Sequence, residues 1–213
     1  MALTSPAAER NKLPIWEVLN KILPRPPDGR VVRLLEVSCG SGQHAAFFAS
    51  SRSDLFVQPT DQSLENAQSV QAHATQAGVT ERVMPLQVLD LLKGVEDDLA
   101  KEELYDAAVC INMLHISPRG CAEGLFKASD KLLVPEGFLL TYGPYRIDGW
   151  LSESNQKFEE EFIKSHDQSY HIWEIRDLEQ VAKSKGFYLE WSAAMPSNNM
   201  VLLWRRDPRL SSR

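Results

Sequence analysis

A doubly wound α/β fold with a mostly parallel sheet is the architecture this sequence predicts, and three observations predict it. Strand-like apolar runs alternate with helical stretches between residues 31 and 142, the first run ends in a glycine loop that opens a helix, and two final strand-like runs lie only four residues apart. Strands that alternate with helices pair in parallel through right-handed crossovers, which excludes a sandwich or a helical bundle.

Each element has its own signal. Over residues 7–23 the apolar positions Ile15, Val18, Leu19, Ile22 and Leu23 recur at helical spacing, and Pro24, Pro26, Pro27 and Gly29 then stop the helix and form a hinge. Residues 31–37 read as a buried strand, ended by Ser38, Cys39, Gly40, Ser41 and Gly42, and residues 43–51 as a helix. A short strand over 55–59, a helix over 63–77 and a strand over 84–89 ending at Asp90 follow. Residues 105–111 give a fourth strand, 119–133 a fourth helix and 137–142 a fifth strand. The last third changes rhythm: 154–165 and 174–185 are helical, while 187–195 and 200–206 are strand-like and separated by Pro196, Ser197, Asn198 and Asn199. So short a link permits only an antiparallel pair. The expectation is a seven-stranded sheet in a single domain over residues 1–213, with an N-terminal helix and linker over 1–29, an α/β core over 30–206 and a tail over 207–213.

The 213 residues carry 23 Lys and Arg against 29 Asp and Glu, a formal charge of −6, with 43% hydrophobic residues. An acidic balance argues against a phosphate-binding surface and so against a nucleic-acid partner. The basic patches at 10–12, 30–33 and 205–213 read as solvated surface. No apolar run approaches the roughly 18 residues of a membrane span, and residues 1–6 show no secretory signal. Cys39, Cys110 and Cys121 are an odd count that fits free thiols in a reducing, cytoplasmic compartment. A small molecule is the expected partner. His73, His166 and His171 have no metal-ligand spacing, so no metal site is expected.

In an open α/β sheet, ligands bind beyond the carboxyl ends of the strands, and a loop without side chains lets the backbone approach them. Gly40 and Gly42 stand at that point, and Gly40 to Ala45 also fits the dinucleotide pattern G-x-G-x-x-(G/A). Asp61 follows about 20 residues on, just past the second strand, where an acid accepts bonds from ribose hydroxyls. The residues therefore point to a nucleoside-bearing ligand; the other reading is a tight turn with Asp61 capping the next helix.

The run Leu34-Leu35-Glu36-Val37-Ser38-Cys39-Gly40-Ser41-Gly42 resembles the first motif of class I S-adenosylmethionine-dependent methyltransferases, an acid, any residue, then Gly-x-Gly-x-Gly. The resemblance implies the Rossmann-like methyltransferase fold, with S-adenosylmethionine as cofactor and S-adenosylhomocysteine as product. It places Glu36, Ser38, Gly40 and Gly42 on that cofactor, Asp61 on its ribose, Asp90 and Leu91 beside adenine, and Asn112 after the fourth strand. Ser38 departs from the motif, because it stands where the family has its first glycine. The stretches Ala8-Glu9-Arg10-Asn11-Lys12, Gln58-Pro59-Thr60-Asp61, Tyr142-Gly143-Pro144-Tyr145 and Met195-Pro196-Ser197-Asn198-Asn199 further resemble a small methyltransferase-like family of unassigned substrate.

Methyl transfer from a sulfonium needs alignment more than covalent help. His115, past the fourth strand, has the ordinary pKa of a base near neutrality, and its alternative is to pack the loop. Tyr145, past the fifth strand, is the second catalytic candidate, as a ring that shapes the acceptor pocket. The N-terminal helix offers Arg10, Asn11 or Lys12 to the carboxylate of the methionine moiety. The sequence thus points to a methyltransferase acting on a small molecule. The rival readings are a catalytically silent methyltransferase fold that binds a partner and a nicotinamide-dependent reductase.

Overall fold

A computed structural model of the chain describes residues 1–95, 99 and 103–208. Among them, β1 (Val32–Val37), β2 (Leu55–Asp61), β3 (Gln87–Val88), β4 (Tyr105–Ile111), β5 (Leu133–Gly143), β6 (Phe187–Met195) and β7 (Asn199–Arg206) form one sheet in the order β3-β2-β1-β4-β5-β7-β6. β1 to β5 pair in parallel, and β7 runs antiparallel between β5 and β6. The doubly wound sheet and its C-terminal hairpin are as the sequence predicts.

Both faces of the sheet are covered, which is why its central strands are apolar on both sides. Leu34 of β1 packs in a core with Ile15, Leu19 and Phe48, under α1 (Pro6–Ile22), α2 (Gln43–Ser51) and α3 (Ala67–Gln76). Its neighbours Leu35 and Val37 enter a second core with Phe126, Leu178 and Trp204, under α4 (Gly120–Leu132) and a later helix over Ile175–Ser184. Complete burial of a side chain such as Phe48 or Phe126 contributes about 1.5–3 kcal/mol. Helix α1 starts at Ser5, whose hydroxyl accepts from Ala8 N–H at 3.3 Å, with Pro6 in the first turn, where no amide donor is needed. After β5 in the chain, α5 (Glu153–Phe158) continues through a π turn over Glu159–Ile163 into a last turn, Lys164–His166, and α6 is Ile175–Ser184.

Boundaries differ from the sequence reading where side chains compete with the ladder. The expected strand over 84–89 keeps only Gln87–Val88, because Pro85 has no amide to donate. Helix α3 begins at Ala67 rather than at 63, since Asp61 and Ser63 accept the amides of Gln62 and Glu65 and hold a turn there. β2 runs on to Asp61, and β5 begins at Leu133, directly after α4. Residues 209–213 of the expected tail lie outside the described residues. No described helix is long and apolar enough to cross a membrane.

Strand order reverses about β1, which has β2 on one side and β4 on the other. The crevice beyond the carboxyl ends of these strands is the switch point of the sheet.

Candidate functional site

Beyond that edge lies a cavity of about 840 Å³. It is lined by the loops after β1, β2, β3 and β4, by the start of α1, by α5 and by the tip of the β6–β7 hairpin. Ser38, Gly40, Asp61, Asp90, Leu91, Asn112 and His115, all expected at the site, share this one space.

The glycine loop owes its shape to left-handed backbone. Ser38 has φ 57°, Gly40 φ 55° and Gly42 φ 86°. The position that the methyltransferase motif fills with its first glycine therefore needs the left-handed conformation here too, and Ser38 adopts it at a strain of about 1–2 kcal/mol. A Cβ on Gly40 would meet nothing within 4 Å, so the backbone there is open to a ligand. Gly42 does not line the cavity; a Cβ on it would lie 2.7 Å from the Cα of Val70. Its role is to let α3 pack against the loop.

Asp61 pins the loop, accepting from the amide of Gly40 at 2.9 Å with one oxygen and from Gln62 at 2.8 Å with the other. Asp90 lies beyond β3, where the Lys93 ammonium at 2.9 Å holds its carboxyl below the usual range. Leu91 is buried against α4, close enough that a Cβ on Gly124 would collide with its carbonyl. Asn112, with φ 56°, donates its amide to the carbonyl of Tyr142 at 2.8 Å and faces the cavity.

Glu36 is the most deeply buried carboxyl in this region. It is 1% exposed, one carboxylate oxygen has no hydrogen-bond partner, and its help is the amide of Ala45 in α2. Burial, reinforced by the charge of Asp61, pushes it up to about 8. His44 lies with Nδ1 3.7 Å from Glu36, too far for a hydrogen bond, and burial pushes it down to about 4. The two sit within ion-pair reach, yet desolvation favours the neutral form of each, so near pH 7 they form a neutral pair. Nε2 of His44 is 2.7 Å from Oδ1 of Asn11. Asn11 also bonds the hydroxyl of Tyr142, to which Asn199 donates at 3.1 Å. A polar chain thus runs from behind Glu36 to the hairpin at the cavity wall.

This arrangement corrects part of the expected binding set. Asn11 is buried behind the cavity in that chain, and Lys12 turns away to pair with Glu9 at 2.5 Å and lie over the ring of Phe47. The charged side chain of α1 that lines the cavity, beside Ala7 and Ala8, is Arg10, exposed and without an ion-pair partner among the described residues. The i, i+3 spacing of Glu9 and Lys12 explains the choice.

At the other end, His115 stands on a single 3₁₀ turn, Leu114–Ile116. It is 5% exposed, burial pushes it down to about 4, and neither ring nitrogen has a hydrogen-bond partner among the described residues. Its ring meets Phe158 edge-on with centroids 5.8 Å apart. Tyr145 does not line the cavity; it is buried in the second core, donates to Thr141 Oγ1 at 2.9 Å, and burial raises its pKa. The catalytic role expected of it falls, because its hydroxyl is spent on the sheet. Cys39 borders the cavity but is buried, and burial pushes its thiol up, away from a nucleophile.

Sequence reasoning missed the rings. Phe158, Phe162 and Tyr170 line the cavity, and Phe158 and Phe162 stack with centroids 5.2 Å apart and planes 12° off parallel. The i, i+4 spacing of the two phenylalanines was the available signal. The hairpin tip closes the same side: Asn155 donates to the carbonyl of Asn198 at 2.8 Å, and Asn198 donates to Ser154 at 2.9 Å.

A family model described as "Protein of unknown function (DUF938)" matches residues 2–206. Among solved structures, the chain is similar to the mitomycin 7-O-methyltransferase MmcR, with a TM-score of 0.72 and 13% identity over 92% of this chain and 54% of that one. It is also similar to an O-methyltransferase family protein from Burkholderia thailandensis, with a TM-score of 0.73 and 16% identity over 94% and 57%. A third is CalO1, a methyltransferase in calicheamicin biosynthesis in its SAH-bound form, with a TM-score of 0.71 and 14% identity over 94% and 54%. The chain spans a little over half the length of these proteins. At such identities the likeness establishes the fold, that of class I methyltransferases.

Proposed function

This chain belongs to the family described as Protein of unknown function (DUF938), and on that footing we propose that it transfers a methyl group from S-adenosylmethionine to a small molecule. The observation that carries this reading is the continuity of the cavity, which joins the glycine loop, Asp61, Asp90 and Leu91 to Asn112 and His115.

The residues present fit the cofactor. The open Cβ direction at Gly40 leaves room for close approach, while Glu36, expected on the cofactor, is buried beneath the loop and does not line the cavity, with one oxygen unpartnered. Asp61 would take the ribose hydroxyls, Asp90 and Leu91 the adenine edge, and Ser38, Gly40 and Asn112 the methionine end, with Arg10 on its carboxylate. When bound, the cofactor supplies a methyl group already activated as a sulfonium. The protein's own tasks are then to hold the acceptor in line, to exclude water and to receive a proton. His115 is neutral at pH 7 and able to accept that proton, and its ring is oriented by Phe158.

Calorimetric titration of the folded protein with S-adenosylmethionine, S-adenosylhomocysteine and NADH tests the reading. Binding of the two adenosyl ligands but not NADH is expected; failure of both adenosyl ligands would sink it. Once an acceptor is in hand, His115→Gln should lower turnover by about 100-fold or more while leaving S-adenosylhomocysteine affinity unchanged.

A further inference from the structure

The cavity is chemically divided. Its charged side chains, Arg10, Asp61 and Asp90, come from α1 and from the ends of β2 and β3. The wall built by the loop after β4, by α5 and by the hairpin presents no Asp, Glu, Lys or Arg to the space among the described residues. What it presents instead is Ile116, Phe158, Phe162 and Tyr170, together with uncharged polar groups that include His115, Asn155 and, from the hairpin, Asn199.

The rings are held rather than loose. Phe158 and Tyr170 pack on a small core of Leu151, Ile163 and Ile172, and Phe162 stacks flat on Phe158. Phe162 is 47% exposed, a large apolar surface left to water at the rim of a cavity. A charged guest entering here would lose hydration with no opposite charge on this wall to offset it. A flat apolar guest would cover the rings in the offset or edge-on arrangements that aromatic pairs favour.

Proton transfer narrows the guest further. His115 is the imidazole on this wall, and the other titratable groups there are the phenol of Tyr170 and the thiol of Cys121, which burial pushes up. Desolvation makes His115 a weak base. It suits a hydroxyl of pKa near about 10, as in a phenol, far better than an aliphatic hydroxyl close to the about 15.7 of water.

We infer that the acceptor is an uncharged aromatic compound whose reacting group is a phenolic hydroxyl, seated against Phe158 and Phe162 with its oxygen toward His115. The inference rests on the methyl-transfer reading. In the reaction the acceptor O–H bond breaks and its proton passes to a ring nitrogen of His115, while the oxygen lone pair forms the new O–CH₃ bond. The methyl–sulfur bond breaks with its electron pair left on sulfur, so the sulfonium becomes a thioether, and the imidazolium then gives its proton to water.

The test is calorimetric and needs no turnover. Protein saturated with S-adenosylhomocysteine is titrated with a naphthol, with the matching saturated alcohol and with the matching naphthoate, and the series is repeated in Phe162→Leu. The naphthol should bind at least about fivefold tighter than either analogue, and Phe162→Leu should remove most of that preference without moving S-adenosylhomocysteine affinity. Equal or tighter binding of the saturated alcohol or of the anion overturns the acceptor class, as does absence of naphthol binding to the loaded protein. Failure to bind S-adenosylhomocysteine at all overturns the methyl-transfer reading and the acceptor class with it, so the two failures are told apart by the first titration.

Discussion

Gly40 and Gly42 flank Ser41 in one loop, yet a methyl group added at each would meet different surroundings. At Gly40 the only cost is backbone: φ is 55° and nothing lies within 4 Å of the added Cβ. Left-handed strain in a non-glycine residue amounts to about 1–2 kcal/mol. At Gly42 the strain recurs at φ 86°, and the Cβ would also sit 2.7 Å from the Cα of Val70 and 2.9 Å from its Cγ2. Overpacking of that kind adds about 1–3 kcal/mol. Gly42→Ala should therefore cost about 2–5 kcal/mol and Gly40→Ala about 1–2 kcal/mol. For a chain of this size each kcal/mol lowers Tm by about 2–4 °C, so the melting points should separate by several degrees, with Gly42→Ala the lower. Trimming the neighbour should not rescue it, because Val70→Ala leaves the offending Cα in place. Urea unfolding followed by circular dichroism measures both costs, and calorimetry with S-adenosylhomocysteine should show the opposite ranking, with Gly40→Val losing affinity while it stays folded. Equal destabilisation by the two alanines would refute the division of labour between a ligand-facing and a packing glycine.

Three further outcomes follow from the same geometry. Glu36 has a carboxyl raised from 4.5 to about 8, so the folded state holds a proton that the unfolded state releases, and stability falls as pH rises through that window. Glu36→Gln should flatten the fall, by an amount whose ceiling is on the order of 5 kcal/mol at about 1.36 kcal/mol per unit, read from urea midpoints at acidic and alkaline pH; an unchanged pH profile would count against the buried, half-partnered carboxyl. Ser38→Gly should stabilise the fold by about 1 kcal/mol through relief of the left-handed strain, with destabilisation in the same unfolding assay as the contrary result. Tyr145→Phe should cost about 1 kcal/mol for the lost bond to Thr141 and leave S-adenosylhomocysteine affinity and turnover unchanged; a large loss of turnover in the folded variant would return Tyr145 to the site.

Much of the fold was legible because the relevant signals are local. A strand, a glycine loop and a helix announce themselves in consecutive residues, and the short link Pro196 to Asn199 leaves the chain no path but a hairpin. The edge strand β3 is shorter than its pattern predicts, because apolar residues around Pro85 satisfy the pattern while the missing amide breaks the ladder. The same loss explains the start of α3, where short polar side chains capture amides that a helix would have used.

The site was legible wherever a residue's task is set by its place on the backbone, and illegible wherever it is set by the direction of a side chain. Asp61 ends β2 and Ser38, Gly40, Asp90 and Asn112 stand just past strand ends, and strand ends in this fold face the crevice. Arg10, Asn11 and Lys12 are consecutive on one helix, so their side chains must diverge, and side-chain contacts, one within the helix and others with α2, decide which reaches the cavity. Glu9 takes Lys12, His44 takes Asn11, and Arg10 is left facing the open space. Tyr142 and Tyr145 present the same problem at the end of β5: Tyr145 turns its hydroxyl to Thr141 within the sheet, while Tyr142 joins Asn11 and Asn199 at the edge of the cavity. The aromatic wall is the extreme case, because Phe158 and Phe162 become part of the site only when the hairpin tip draws α5 over the sheet through Asn155 and Asn198. That contact spans 43 residues of sequence, and no local pattern carries it.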